Sequence, residues 1–368
     1  MTYSKQATRL SSTAKNVVFC KGLNKMKKIH ILITLAVCTI TCQATITDNP
    51  FGYYNVYSLN DIGSSSAQYR SDMQGTVGAG GNVYFREFSL AGQDSSNTYS
   101  LHTQGNASLW GAYNGNIDVG GNLTFSPSSL NGNAFVGGNV SNSEGGSISG
   151  NLTAAGSINL TPQFTVTGQQ QAFSSVSQLV NYQAIADYFL NTSTNLAAHA
   201  DNAAYTNNWG GITLNAASGE NFITIDATEL RDAWGFTING AEDAIVYINV
   251  TGENVEFNST NWTYQDGISA SNVLVNFSEA DTMHLTSNNA VNILAPNADT
   301  NFQYGVVTGS LIVGNLTGAG QVNLGTFEQT PLMTTFTIPE PATLFLLSMG
   351  TAFIIKTRKK LHTNSKAN

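Results

Sequence analysis

Between Asp48 and Ile355 the sequence has no lysine and no cysteine, and its basic residues other than histidine are Arg70, Arg86 and Arg231. Cys20, Cys38 and Cys42 all precede Ala44. Removal of that leader leaves a chain without a thiol, which excludes disulfide-dependent folding, a Cys-ligated metal site and a Cys nucleophile. All 23 Asp and Glu lie between Asp48 and Glu340, so the body is strongly acidic. It lacks the basic stripe that phosphate binding needs, and nucleic acid is excluded as a partner. No D-x-[DN]-x-[DN]-G loop or GGxGxD nonapeptide is found, so no calcium motif, metal site or cofactor is expected. Charged residues make up only 10% of the chain against 41% hydrophobic, with 35 Gly. That balance belongs to a β-rich protein with an uncharged polar surface; a disordered chain would be more charged and less apolar.

What the chain does contain is a repeat over residues 78–160: GAGGNVYF, QGNASLW, VGGNLTF, VGGNV, SGNLTA and AGSINL. A glycine or glycine pair, usually with Asn, precedes a short alternation such as Val83, Phe85 or Leu123, Phe125. Gly105, Gly121, Gly138 and Gly150 follow one another at intervals of 16, 17 and 12 residues, a spacing suited to coils of a β-solenoid. Because Gly and Asn tolerate positive φ, they are expected to turn the chain at the coil corners. The sequons Asn122-Leu123-Thr124 and Asn261-Trp262-Thr263 read as such corners, not as glycosylation sites. Aromatic FGYYNVYSL at 51–59 is expected to form a first strand or a cap at the end of the stack.

Residues 172–200 contain no Gly or Pro, and Val176, Leu179, Val180, Ile185, Phe189 and Leu196 fall near helical spacing. An amphipathic helix capped by Ser174 or Ser175 and lying along the solenoid's flank is predicted. Strand text resumes with residues 222–225, 244–250, 255–257, 273–277 and 291–294, and the Gly-Asn motif returns in the last coils at 309–316 and 321–324. The predicted fold is therefore mainly β, a β-solenoid with one long helix on its flank, plus an N-terminal signal helix and a C-terminal transmembrane helix.

Both ends read as processing segments. Lys25, Lys27 and Lys28 lead into an apolar run at 29–40 that ends near Cys42-Gln43-Ala44, the layout of a signal peptide cut after Ala44, with Met26 as the expected start. Cleavage is favoured over lipidation because Val37 occupies the position where a lipobox has a small residue. At the other end Pro339-Glu340-Pro341 precedes an apolar run at 342–355 and the basic cluster Lys356, Arg358, Lys359 and Lys360. That run is shorter than the roughly 20 residues of a usual bilayer span, and the cluster would hold its end on the cytoplasmic side.

This tail resembles the PEP-CTERM sorting signal of Gram-negative bacteria, in which Pro-Glu-Pro, a hydrophobic helix and a basic end are recognised by a membrane peptidase, the exosortase. The body resembles the choice-of-anchor A domain, through Asp72-Met73-Gln74-Gly75 with Gly78-Ala79-Gly80-Gly81-Asn82, and through residues 292–298 with 309–316. The resemblance implies a β-helical adhesive domain over 45–328, a linker at 329–338, a sorting signal at 339–361 and a basic cytoplasmic tail at 362–368. It also implies signal peptidase and exosortase as processing partners, and the cell envelope or surface of a Gram-negative bacterium as the destination, with release from the cell left open. The family has no catalytic residues to carry over.

The expected function is adhesion to polysaccharide or neighbouring cells through many weak contacts, with any of Trp110, Trp209, Trp234 and Trp262 that are exposed available to stack on sugars. One alternative is a β-helical carbohydrate-active enzyme acting on envelope polysaccharide. A hydrolase would draw on Asp226 with Glu229 or Asp232, or on Glu242 with Asp243; a lyase would draw on His102, His199, His284 and the three arginines. Acidic pairs of this kind usually mark solvated turns, so a non-enzyme is expected. The other alternative is an ice-binding solenoid. Thr165-Val166-Thr167 is the one T-x-T of the strand text, so the flat threonine array is not evident.

Overall fold

Along each short strand apolar side chains point inward and polar ones outward, and parallel pairing stacks the strands into coils. A computed structural model describes residues 49–90, 98–176, 178–258, 260–286 and 288–328. Ala44, Pro339, Glu340, Pro341, Lys356, Arg358, Lys359 and Lys360 lie outside the described residues. No helix among the described residues is long and apolar enough to cross a membrane.

The coils have three walls. The first is a 14-stranded parallel sheet whose main path runs Gln170–Ala172, Leu152–Ala154, Ala134–Val136, Asn116–Val119, Tyr99–Thr103, Val77–Ala79, Val56–Ser58, Leu311–Gly318, Asn292–Tyr304, Val273–Asn276, Ala244–Thr251, Gly219–Asp226. The order is not that of the sequence. Residues 51–59 therefore do not cap the stack: Val56–Ser58 lies at its middle, paired with Val77–Ala79 on one side and with residues 311–313 on the other. From there the chain coils outward to Ala172, returns along the flank, and begins again at Gly219 to coil back until its last turns meet its first. The twelve strands of this path, at about 4.8 Å each, make a stack about 50 Å long.

The return is made by the helix Tyr182–Ala197, capped by the Asn181 side chain, which accepts from Ala184 N–H. Its start lies beyond Ser174 and Ser175: Val180 is already buried against the same cluster, and the cap falls at Asn181. Ile185, Tyr188, Phe189 and Leu196 are buried on that stripe against Phe51, Tyr54, Tyr57, Phe222, Tyr247, Leu274, Leu294 and Ile312, a cluster separate from the solenoid interior. Covering large apolar side chains of this kind stabilises by about 2 kcal/mol each. Ser193 Oγ donates to Asn276 Oδ1 (2.6 Å), and Asn249 Nδ2 donates to the Leu196 carbonyl (2.9 Å), which pins the helix to two rungs.

The glycines at the corners act differently from expectation. Gly105, Gly121, Gly138 and Gly156 stack at one corner, where N–H groups donate to the glycine carbonyl of the adjacent rung, as in Gly105 to Gly81 (2.8 Å), Gly121 to Gly105 (2.8 Å) and Gly156 to Gly138 (2.9 Å). Gly150 belongs to a second corner, stacked between Gly132 and Gly168, so the 12-residue interval had joined two different corners. Neither column as a whole uses positive φ. A Cβ on Gly121 would lie 2.6 Å from Asn106 Oδ1 and 2.8 Å from the Gly105 backbone, so close approach of neighbouring rungs is what requires glycine. The asparagines bond rung to rung: Asn106 to Asn82, Asn122 to Asn106 and Asn139 to Asn122, each backbone N–H donating to the preceding Oδ1 at 2.8 or 2.9 Å. Asn116, Asn133, Asn151 and Gln169 repeat this at the second corner.

Candidate functional site

A four-stranded sheet of Tyr205–Asn208, Gly211–Asn215, Gly235–Asn239 and Asn261–Gln265 forms the third wall near the Gly219 end. Ile212, Leu214, Phe236 and Ile238 point inward and are buried. The alternation of the strand therefore turns Thr213, Asn215, Thr237, Asn239, Thr263 and Gln265 outward. Register makes columns of them: Thr206, Thr213, Thr237 and Thr263 lie opposite one another, and so do Asn215, Asn239 and Gln265. Asn239 Nδ2 donates to Asn215 Oδ1 (2.8 Å). A threonine array is thus present. Its members sit across rungs and not as T-x-T along one strand, a relationship that spacing in the sequence does not display.

Beside this column stand two tryptophans. Strands Tyr205–Asn208 and Gly211–Asn215 are joined antiparallel through Trp209 (φ 54°) and Gly210 (φ 83°), a two-residue turn with both φ positive. Asn at the first of these positions would be the relaxed choice; Trp there costs about 1 kcal/mol. Trp209 is also 98% exposed, so neither packing nor turn chemistry accounts for it. Trp234, 63% exposed, donates its indole N–H to the Trp209 carbonyl at 2.9 Å. Its ring lies across the outward side of Gly211, where a Cβ would come within 2.7 Å of it. The other two tryptophans are half-buried. Arg86 sits 4.5 Å over the Trp110 ring, and Trp262 stacks on Phe236 at 4.5 Å and 10°.

The sequence-designated carboxylates are committed locally. Asp226 caps the helix Ala227–Asp232, accepting from Thr228 N–H at 2.8 Å, and the hydrogen bonds from Thr228 lower its pKa. Glu229 accepts from Tyr205 and Asn207, both at 2.8 Å; burial foremost and then the Glu229 hydrogen bond push the Tyr205 phenol up to about 12. Asp232 pairs with Arg231 at 2.8 Å, which lowers its pKa. Asp243 accepts from Ser218, while Glu242 is exposed and its carbonyl accepts from Asn272. Of the histidines, His102 is buried with Nδ1 3.7 Å from Asp118 and Nε2 2.9 Å from the Tyr53 hydroxyl, and His199 stacks on Phe222 at 4.4 Å.

His284, with Asp226, Arg231, Glu256 and Asp299, lines a groove of about 660 Å³ on the 14-stranded sheet, where Asn254–Phe257 and Thr282–Thr286 pair beside its main path. Its lining comes from separate coils, so no spacing in the sequence points to it. Among the described residues no group of three or more His, Cys, Asp or Glu is placed to hold a metal ion.

Parallel coils closed on a return helix, with an uncharged polar wall, place the chain among β-solenoids. The family of ice-binding-like adhesive domains matches residues 47–324, and the chain belongs to it. Among curated proteins none matches. A crystal structure of an ice binding protein from an Antarctic bacterium of the Flavobacteriaceae aligns over 77% of this chain and 98% of its own, at 10% identity and a TM-score of 0.25.

Proposed function

We propose that this chain is an exported, non-enzymatic adhesive protein that binds hydroxyl-rich surfaces through the wall of Thr213, Thr237, Thr263 and their neighbours. The observation that carries this reading is the wall itself: three rungs of outward Thr and Asn or Gln, uncharged, aligned in columns by register. Each contact is weak, and rigidity lets many act together. Membership of an adhesive-domain family supports the reading. So does the commitment of Asp226, Glu229, Asp232 and Asp243 to caps and local partners, which leaves them poorly arranged for hydrolysis. Export would follow from the leader ending at Ala44. Attachment would follow from the Pro339-Glu340-Pro341 signal and the basic cluster, processed by an exosortase as in choice-of-anchor A proteins of Gram-negative envelopes.

Beads coated with the protein are expected to adhere to polysaccharide-coated glass or to cells, and Thr213→Lys with Thr237→Lys to reduce this at least tenfold without changing the fold. Equal adhesion of the variant would refute the reading. Ice is the second reading, favoured by the threonine column. Partition of the protein into growing ice, abolished by the same substitutions, would select it.

A further inference from the structure

We infer that Trp209 and Trp234 form a stacking platform for a neutral, extended polysaccharide chain, which lies along the threonine column and crosses the rungs. This rests on the adhesive reading and names its ligand chemistry. The two indoles sit at the edge of the outward sheet, joined by the hydrogen bond from Trp234 Nε1 to the Trp209 carbonyl (2.9 Å). Gly211 is what lets the Trp234 ring lie against the sheet. Trp209 is held in a left-handed turn position that disfavours it and is 98% exposed, a strain with no return in folding.

An apolar ring face next to rows of hydroxyl and amide groups matches a pyranose, whose C–H face stacks while its equatorial hydroxyls bond sideways. Four strands at about 4.8 Å span roughly 14 Å, room for a few sugar rings in line. Charge selects the class. The outward columns carry no ionised group, and Arg231, on the neighbouring helix Ala227–Asp232, is paired with Asp232. Uronates and sulfated sugars find no counter-charge in these columns, and neutral sugars need none.

The test is affinity gel electrophoresis of the full-length protein in gels holding hydroxyethyl cellulose or alginate, run beside the bead-adhesion assay. Trp209→Gly relaxes the turn and removes no packing, so it keeps the fold; Trp234→Phe keeps a smaller ring. Hydroxyethyl cellulose is expected to retard the wild type and alginate to leave it unretarded. Trp209→Gly should weaken retardation at least tenfold, and Trp234→Phe by a smaller factor. Retardation unchanged in Trp209→Gly, or stronger in alginate, would overturn the inference. Wild-type adhesion without retardation by the neutral glucan would overturn it while leaving the adhesive reading intact. Retardation without adhesion of beads to any surface would sustain the platform and refute the adhesive role.

Discussion

Asn55 donates a hydrogen bond to the carbonyl of Gly309 at 2.9 Å, although 254 residues separate them. The same amide reaches the carbonyls of Asn323 and Gly325, and its oxygen accepts from Gly75 N–H at 3.1 Å. One buried side chain therefore ties the first coil to the last at the centre of the stack.

Replacement of Asn55 by Leu should leave several buried backbone groups unpaired and cost about 3 kcal/mol. Urea unfolding would read this as a lower midpoint. A midpoint within error of wild type would mean that the central joint is held by strand pairing alone.

The joint also predicts tolerance of a new chain order. Phe51 and Phe327 pack with ring centroids 5.8 Å apart, so the described ends lie together. A circular permutant joining residue 328 to 49 by a short linker, and opened in the exposed stretch at 199–202, should fold with a melting temperature within about 5 °C of the unpermuted 49–328 chain. Failure of the permutant to fold would show that the native order of coil formation is obligatory.

Two glycine substitutions separate the two uses of glycine. Gly121→Ala drives a Cβ into the Gly105 backbone and is expected to cost about 3 kcal/mol. Gly219→Ala meets no atom within 4 Å but has φ +82°, so about 1 kcal/mol is expected from conformation alone. Equal effects, compared by thermal melting, would contradict the close-approach account.

The corner ladder is predicted to be cooperative. Asn122 donates through its backbone and side chain to Asn106 Oδ1 and accepts from Asn139 N–H. Asn122→Ala should cost about 1–2 kcal/mol, and the double variant with Asn106→Ala less than the sum of the singles, since one bond is shared. Strict additivity in a double-mutant cycle would show the two amides to be independent.

Alkali should unfold the protein before it titrates the buried phenols. Burial raises Tyr188 to about 12 and lifts Tyr54, Tyr113 and Tyr182 well above the ordinary value of 10.0. A raised phenol pKa favours the fold while the phenol is neutral. Stability is therefore full below pH 10 and falls above it as the unfolded state ionises, with the Tyr188 contribution exhausted above about pH 12. Each buried tyrosine contributes a slope of about 1.4 kcal/mol per pH unit in that window. Urea midpoints at pH 8, 10 and 11 with absorbance at 295 nm would check this; a flat profile to pH 11 would mean that the phenols are solvated.

Much of the fold was legible because its signals are local. Alternation in Leu123 and Phe125 marked a strand, the strand texts at 222–225 and 244–250 fall within observed strands, and that at 273–277 overruns its strand by one residue. The helix stripe was legible in Ile185, Phe189 and Leu196, while its start was not, because Val176, Leu179 and Val180 suit helical spacing equally well. The site was harder to see. Nothing near Thr213, Thr237 and Thr263 in the chain says that they face one another, and an exposed Trp209 is indistinguishable in sequence from a buried one.

The sequence by itself determined the unit of construction: short strands, Gly-Asn corners between them, and one helix able to cover an apolar flank. Only the tertiary structure decided the order in which coils stack, with Val56 against both Val77 and Leu311. The physical reason is that each rung offers the same unsatisfied backbone edge, so any coil can pair with any other. The choice among them is made by inward side-chain fit and by the return helix, and both act between residues far apart in the chain.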